Sequence, residues 1–147
     1  MKTDEAWMAI ALSEAEAAAK EGEVPIGCVL VNDDREIARG HNLRETKRDA
    51  LSHAEIEVIR KASEVQRAWR LGGTLYVTLE PCPMCVGAIL QARIERVVFG
   101  CKDPKAGALG SLVNLLDYPF NHSFAVENGI GETQSRRLLQ DFFKERR

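Results

Sequence analysis

Two periods run through the hydrophobic and polar positions of this chain. From Thr3 to Glu21, Trp7, Met8, Ala11, Leu12, Ala15, Ala18 and Ala19 recur at helical spacing, with Glu5, Ser13, Glu16 and Lys20 opposite them. Thr3 suits the cap of this predicted helix, Asp4 and Glu5 its first turn, and Gly22 its end. Pro25–Val31 is short and apolar, Asn32-Asp33-Asp34 is a turn signal, and Arg35–Arg39 returns, which predicts a β-hairpin. Gly40–Ser52 is polar and without periodicity and reads as a loop. His53 to about Val65 is predicted as the second helix, with Ile56, Ile59 and Ala62 inward. Thr74–Leu79 and Arg96–Phe99 read as strands around a helix that Pro83 opens and that runs to about Ala92. A loop over Cys101–Gly110, a short helical piece over Ser111–Leu116 and a last strand over Ser123–Val126 follow. Thr133–Arg147 is predicted as an amphipathic helix with Leu138, Leu139, Phe142 and Phe143 inward. Strands alternating with helices point to an α/β layered domain. Its sheet should be mixed, because the first strand pair is a hairpin and the later strands are separated by helices.

Composition narrows the class. A chain of 147 residues, 45% hydrophobic and 29% charged, predicts one soluble globular domain over 1–147. No apolar run reaches the length of a membrane span, and no basic-then-apolar leader opens the sequence, so neither membrane insertion nor secretion is expected. Four cysteines, two of them in C-x-x-C, favour a reducing compartment such as the cytoplasm, and a metal or redox role. A net charge of −2 argues against binding nucleic acid through overall charge. The charge is unevenly spread, however. Met1–Val24 carries six acidic and two basic side chains, whereas Thr133–Arg147 carries two acidic and five basic ones. The basic tail leaves room for a local polyanion footprint; the plainer reading is a solvated helix end whose cations suit its dipole.

The candidate chemistry lies in Pro81-Cys82-Pro83-Met84-Cys85 read together with His53-Ala54-Glu55. Cysteines three apart share one helix face. A His and a Glu two apart point to opposite sides of a regular helix, so they converge only if His53 stands at a helix entry. Both half-motifs are therefore predicted at helix N-termini, with one imidazole and two thiolates aimed at a common zinc. Three protein ligands leave a coordination position to water, as catalytic zinc sites do, and Glu55 becomes the base beside it. C-x-x-C alone is shared with redox pairs and structural zinc knuckles, and H-x-E alone is weaker still. In this order, with Pro before the first Cys, they match the zinc-deaminase signature. The competing classes are a zinc-stabilised RNA-binding module, which needs a fourth protein ligand, and a dithiol redox protein, which needs a Cys82–Cys85 disulfide.

Val24-Pro25-Ile26-Gly27, Gly40-x-Asn42, His53-Ala54-Glu55, Leu75 through Cys85 and Ala92-Arg93-Ile94 resemble the cytidine-deaminase superfamily. Val97-Val98-Phe99-Gly100, Asp103-Pro104-Lys105-Ala106-Gly107, Gly110-Ser111-Leu112, Asn121-His122 and Asp141-Phe142-Phe143 narrow the resemblance to the bacterial tRNA adenosine deaminases. The resemblance implies a three-layer α/β/α fold with a mixed five-stranded sheet and one zinc per subunit. It implies hydrolytic deamination of adenosine to inosine at the wobble position of a tRNA anticodon, by a homodimer whose subunits share the substrate surface. Ile26 would pack on the base, Asn42 would hydrogen-bond the flipped purine, and Ala54 would belong to the same pocket. Asp103 would touch the neighbouring sugar-phosphate, and His122 would line the anticodon-loop groove. Lys105, Phe142, Phe143, Arg146 and Arg147 would approach RNA.

Each of these residues also has a plainer reading. Asn42 could be a turn residue, Asp103 could shape the turn before Pro104, His122 could be an ordinary loop residue, and Phe142 and Phe143 could be core. Deamination of a free base or nucleoside (adenosine, guanine or cytosine) is the alternative activity, because the metal half of the motif is common to all. The chain departs from the family pattern at Leu43-Arg44-Glu45, where Pro is frequent, and at Ser135-Arg136-Arg137, where a Cys is frequent.

Overall fold

The computed structural model describes residues 1–146; Arg147, and with it the expected RNA contact there, lies outside the described residues. Five strands form one sheet in the order β2-β1-β3-β4-β5. They are β1 (Gly27–Asn32), β2 (Arg35–His41), β3 (Thr74–Leu79), β4 (Arg96–Cys101) and β5 (Ala125–Asn128). β1 runs antiparallel to both β2 and β3, whereas β3, β4 and β5 are mutually parallel. The β1–β2 turn is the tight hairpin expected. Asp33 and Asp34 both take positive φ, at 51° and 56°, the backbone twist that two-residue loops require.

Helices cover both faces. α1 (Asp4–Lys20) and α5 (Glu132–Glu145) lie on one side, and α3 (Ala54–Gln66) and α4 (Pro83–Gln91) on the other. Strand alternation sorts the core accordingly. Cys28, Leu30, Leu75, Val77, Val97 and Phe99 face α3 and α4, while Val29, Val31, Tyr76 and Val98 face α1 and α5. α1 sits directly on the sheet at Gly27, where an added Cβ would lie 1.9 Å from the Ala11 carbonyl oxygen. No described helix is long and apolar enough to cross a membrane.

Several sequence expectations need correction. The polar loop after β2 contains a single helical turn, α2 (Arg44–Lys47). It is held by a buried carboxylate, since Glu23 accepts the amides of Glu45 at 3.1 Å and Thr46 at 2.6 Å, and also the Thr46 hydroxyl. On α3 the inner row is Ala54, Val58 and Ala62, with Ile59 flanking it and Ile56 only partly buried. Alanines let the helix lie close to the sheet, which turns the isoleucines to its edges.

On α5 the inward residues are Ser135, Leu138 and Phe142. Phe143 is 50% exposed and meets Phe142 edge-on, so it is not core. Ser135 is inward because α5 crosses β3 and β4 closely: its hydroxyl donates to the Thr78 carbonyl at 2.5 Å. The helical piece expected over Ser111–Leu116 is a 3-10 turn at Leu115–Asp117, capped by the Asn114 side chain, and the last strand begins two residues later than expected.

Candidate metal centre

β3 delivers its chain end to the centre of the molecule, where Pro81 leads into α4. Pro83 opens that helix, in the position where a missing amide hydrogen costs nothing. Cys82 is the N-cap residue of α4, with extended backbone angles of φ −77° and ψ 172°. His53 is the N-cap residue of α3, with φ −66° and ψ 157°. Neither side chain caps its own helix, so both are free to point across the gap between the two helices. Cys85, one turn into α4, is buried beside them.

His53 Nδ1 lies 3.6 Å from the Cys82 sulfur and 3.5 Å from the Cys85 sulfur. Among the described residues, these three form the one cluster of metal-ligating side chains, their ligand atoms all within 4.8 Å of one another. Tetrahedral zinc with bonds of about 2.3 Å to sulfur and about 2.05 Å to nitrogen implies a nitrogen–sulfur separation of about 3.6 Å. The observed spacing therefore fits zinc, and it turns Nδ1, not Nε2, toward the ion. Glu55 stands outside the cluster, and all four cysteines are free. Cys28 is fully buried and its thiol is pushed well up by that burial, which leaves it a packing residue.

The charge state of the three ligands supports the same assignment. The hydrogen bond from Cys85 pulls the Cys82 thiol down to about 4, against the cost of burial and with further help from His53. The shared proton and burial push Cys85 far up, and the neighbouring Cys82 raises the His53 imidazole. Two sulfurs and one imidazole thus crowd together and compete for protons, an arrangement that a divalent cation relieves. Burial raises the Glu55 carboxyl to about 7, helped by the Cys82 charge and opposed by its own backbone amide. A carboxyl near 7 can take up and release a proton at neutral pH.

Around this centre the structure places the other expected residues unequally. Asn42 follows directly on β2 and is buried; its amide donates to the Ile26 carbonyl at 3.1 Å, which puts the two in one layer. The amide of Leu43 donates to the Ser52 carbonyl, tying Asn42 to the entry of α3. Ala54 is fully buried at the first position of α3. Asn42 also lines a cavity of about 460 Å3 with Glu23, Val24, Arg44, Phe142 and Arg146. Arg146 stacks over the Phe142 ring at 3.6 Å, so Phe142 is the buried floor and Arg146 the exposed cover. Asp103 shapes its own turn by accepting the amides of Lys105 and Ala106. His122 donates from Nε2 to the Ile94 carbonyl at 2.8 Å. Lys105 is exposed.

Two carboxylates that organise this region escaped the sequence reading. Glu80, almost fully buried, accepts the amides of Asp103 at 3.1 Å, Leu109 at 2.9 Å and Ser111 at 3.1 Å, together with the Ser111 hydroxyl. Gly107 makes room for it, since a Cβ there would fall 2.3 Å from the Glu80 carboxyl carbon. Ala108 closes the loop onto the site by donating to the Pro81 carbonyl. The second carboxylate is Glu23, which holds α2 beneath Asn42. Glu80 left one trace in the sequence, an acidic residue between an apolar strand and a proline.

Residues 1–101 match the family described as the cytidine and deoxycytidylate deaminase zinc-binding region. The chain is 51% identical to the tRNA-specific adenosine deaminase of Bacillus subtilis, over 100% of this chain and 92% of that protein. It superposes with a TM-score of 0.89 on a solved structure from work on A-to-I editing by tRNA:A34 deaminases at the wobble position of transfer RNA. That match has 47% identity and covers 91% of this chain and 99% of the other. A guanine deaminase from Bacillus subtilis matches at a TM-score of 0.68 and 32% identity, covering 84% of this chain and 83% of that one.

Proposed function

The chain belongs to the cytidine and deoxycytidylate deaminase zinc-binding family, and we propose that it converts adenosine to inosine at the wobble position of a tRNA anticodon. The observation that carries this reading is full-length similarity to a tRNA-specific adenosine deaminase around an intact His53, Cys82, Cys85 and Glu55 constellation. In this reading residues 1–147 form a single deaminase unit, a homodimer acting in the cytoplasm.

His53 Nδ1 and the sulfurs of Cys82 and Cys85 would hold one zinc per subunit. When bound, zinc supplies the Lewis acidity that makes water nucleophilic near neutral pH. The remaining work falls to side chains of the protein. Glu55 accepts a proton from the attacking water as its oxygen bonds to the purine carbon bearing the amino group. The protonated carboxyl then gives that proton to the adjacent ring nitrogen. The second proton comes from the hydroxyl now on that carbon and passes through the same carboxylate to the amino group; the carbon–oxygen double bond forms as the carbon–nitrogen bond breaks, and ammonia leaves with inosine as product. One carboxylate suffices because the transfers occur in sequence.

Asn42, Ile26 and Ala54 form the proposed base pocket, with the Asn42 amide group reading the purine edge. Asp103, Lys105 and His122 sit on the loops where the flanking nucleotides would run. Arg146 and Arg44 form an exposed cationic rim over the cavity that Asn42 lines, with Phe142 beneath Arg146, and Phe143 offers an exposed ring edge-on to Phe142; both suit a splayed single strand. An anticodon loop fits such a site because its bases are already unpaired.

Similarity to a guanine deaminase makes free-base deamination the competing activity. Ammonia release from an anticodon stem–loop, free adenosine, guanine and cytosine separates the two. Turnover confined to the stem–loop is expected, and turnover of a free base with none on RNA would overturn the assignment.

A further inference from the structure

The imidazole of His41, the last residue of β2, is held on both sides: Nδ1 lies 2.8 Å from Glu14 and Nε2 lies 2.8 Å from Glu21, both on or capping α1. A neutral imidazole carries one N–H and can satisfy only one carboxylate, so two such contacts require the charged ring. Glu21 is the C-cap of α1, where the helix dipole disfavours an anion, and the cation on His41 offsets that penalty. Burial opposes charging, yet the bonds to Glu14 and Glu21 outweigh it and raise the His41 pKa above the ordinary imidazole value. Other ionisable groups near this cluster are Glu23 in the turn after α1, Arg39 on β2 and the buried Cys28 thiol on β1.

The clamp lies one residue from Asn42. His41 pairs in register with Gly27, the glycine on which α1 rests, and Asn42 then donates to the Ile26 carbonyl. The Asn42 side chain also reaches toward the Val24 carbonyl. The turn from Glu21 to Ile26 and the end of β2 are therefore joined at two neighbouring points, the imidazolium and the Asn42 backbone.

We propose that His41 is a positioning residue for the reaction: its imidazolium, gripped by Glu14 and Glu21, fixes the strand end from which Asn42 meets the base. This rests on the reading that Asn42 contacts the substrate purine. Because charge is held below the raised pKa and lost above it, the clamp is intact at lower pH and opens as pH rises. The opened state has a lone pair of the ring facing a carboxylate.

The test uses the zinc-loaded full chain and its E21Q and H41Q variants. Histidine ring NMR gives the His41 titration. Amide hydrogen exchange, corrected for its intrinsic pH dependence, gives protection at Asn42, and deamination of an anticodon stem–loop gives KM and kcat from pH 6 to 9. In the wild type, KM is expected to rise about fivefold through the His41 inflection, the ratio set by one hydrogen bond of ordinary net strength, with kcat unchanged across that step. Asn42 protection should fall at the same inflection. E21Q should move all three inflections to lower pH together, and H41Q should abolish the step. A KM or protection profile that stays in place while E21Q shifts the His41 titration would overturn the proposal. An inactive protein whose Asn42 protection still follows His41 would refute the deaminase reading and leave the clamp standing.

Discussion

His53 and Cys82 occupy the same station on two different helices. Each is an N-cap residue in extended backbone, each leaves its own helix uncapped, and they meet with Nδ1 3.6 Å from the sulfur. N-cap residues usually satisfy orphan amides of the first turn. Here both caps instead face the proposed zinc site, and the positive ends of two helix dipoles converge there. That setting favours the same thiolate that the Cys85 and His53 hydrogen bonds favour at Cys82.

Replacing Cys85 with Ser removes one sulfur from a site whose spacing is set for three ligands. The variant should purify with much less than one zinc per chain and melt at lower temperature, because the binding energy of the metal contributes to folding. Chelation of the wild type should lower its melting temperature in the same direction. Metal analysis alongside thermal unfolding checks both; an unchanged metal content in the variant would mean that another group completes the site.

Glu80→Gln keeps the size of the side chain but turns an amide toward donors that need an acceptor. Glu80 takes bonds from three backbone amides and a hydroxyl, so the change should cost about 2–3 kcal/mol in denaturant unfolding. Stem–loop turnover should fall while zinc content holds, because the loop that carries Asp103 loses its anchor and the metal ligands do not.

Asp4 joins α1 to the sheet through a two-point contact with Arg96, at 2.9 and 2.6 Å, and accepts the Tyr76 hydroxyl at 2.7 Å. The bond from Arg96 holds its carboxyl below the ordinary aspartate value, against burial and with help from Tyr76. A depressed folded-state value means the contribution is present above the ordinary aspartate range and is lost as pH falls through the depressed one. Asp4→Asn should therefore destabilise by about 1 kcal/mol at neutral pH and flatten the acid limb of the stability curve. Urea titrations between pH 2 and 7 measure both effects.

Phe142 and Phe143 should separate cleanly. Phe142→Ala empties a buried position under Arg146 and should cost about 3 kcal/mol of stability. Phe143→Ala, at a half-exposed ring, should leave stability within about 0.5 kcal/mol and weaken stem–loop binding, as should Arg146→Ala. Equal affinity of Phe143→Ala and wild type in a binding titration would remove that ring from the RNA surface.

The central strands β1, β3 and β4 were legible because successive residues face two apolar environments, as Leu75, Tyr76 and Val77 do, and β2 because the Asn32-Asp33-Asp34 turn returns the chain beside β1. The metal ligands were legible because a His and a Glu two apart admit only one local backbone that lets them cooperate. Glu23 and Glu80 were not. Their partners are backbone amides 22 to 31 residues away, and nothing in a local pattern marks an amide as waiting for a carboxylate. The turn of α2 was missed for the same reason, since Glu23 stabilises it from outside. Phe143 was misplaced because a helical stripe does not reveal where the sheet beneath it ends.

The proposed reaction depends on Glu55 as the proton carrier beside a metal held by three other side chains. Single-turnover inosine formation by zinc-replete Glu55→Ala, on an anticodon stem–loop, tests it most directly. The rate is expected to fall by about 10²–10⁴ with one zinc per chain retained. A wild-type rate in that variant would show that another group carries the protons.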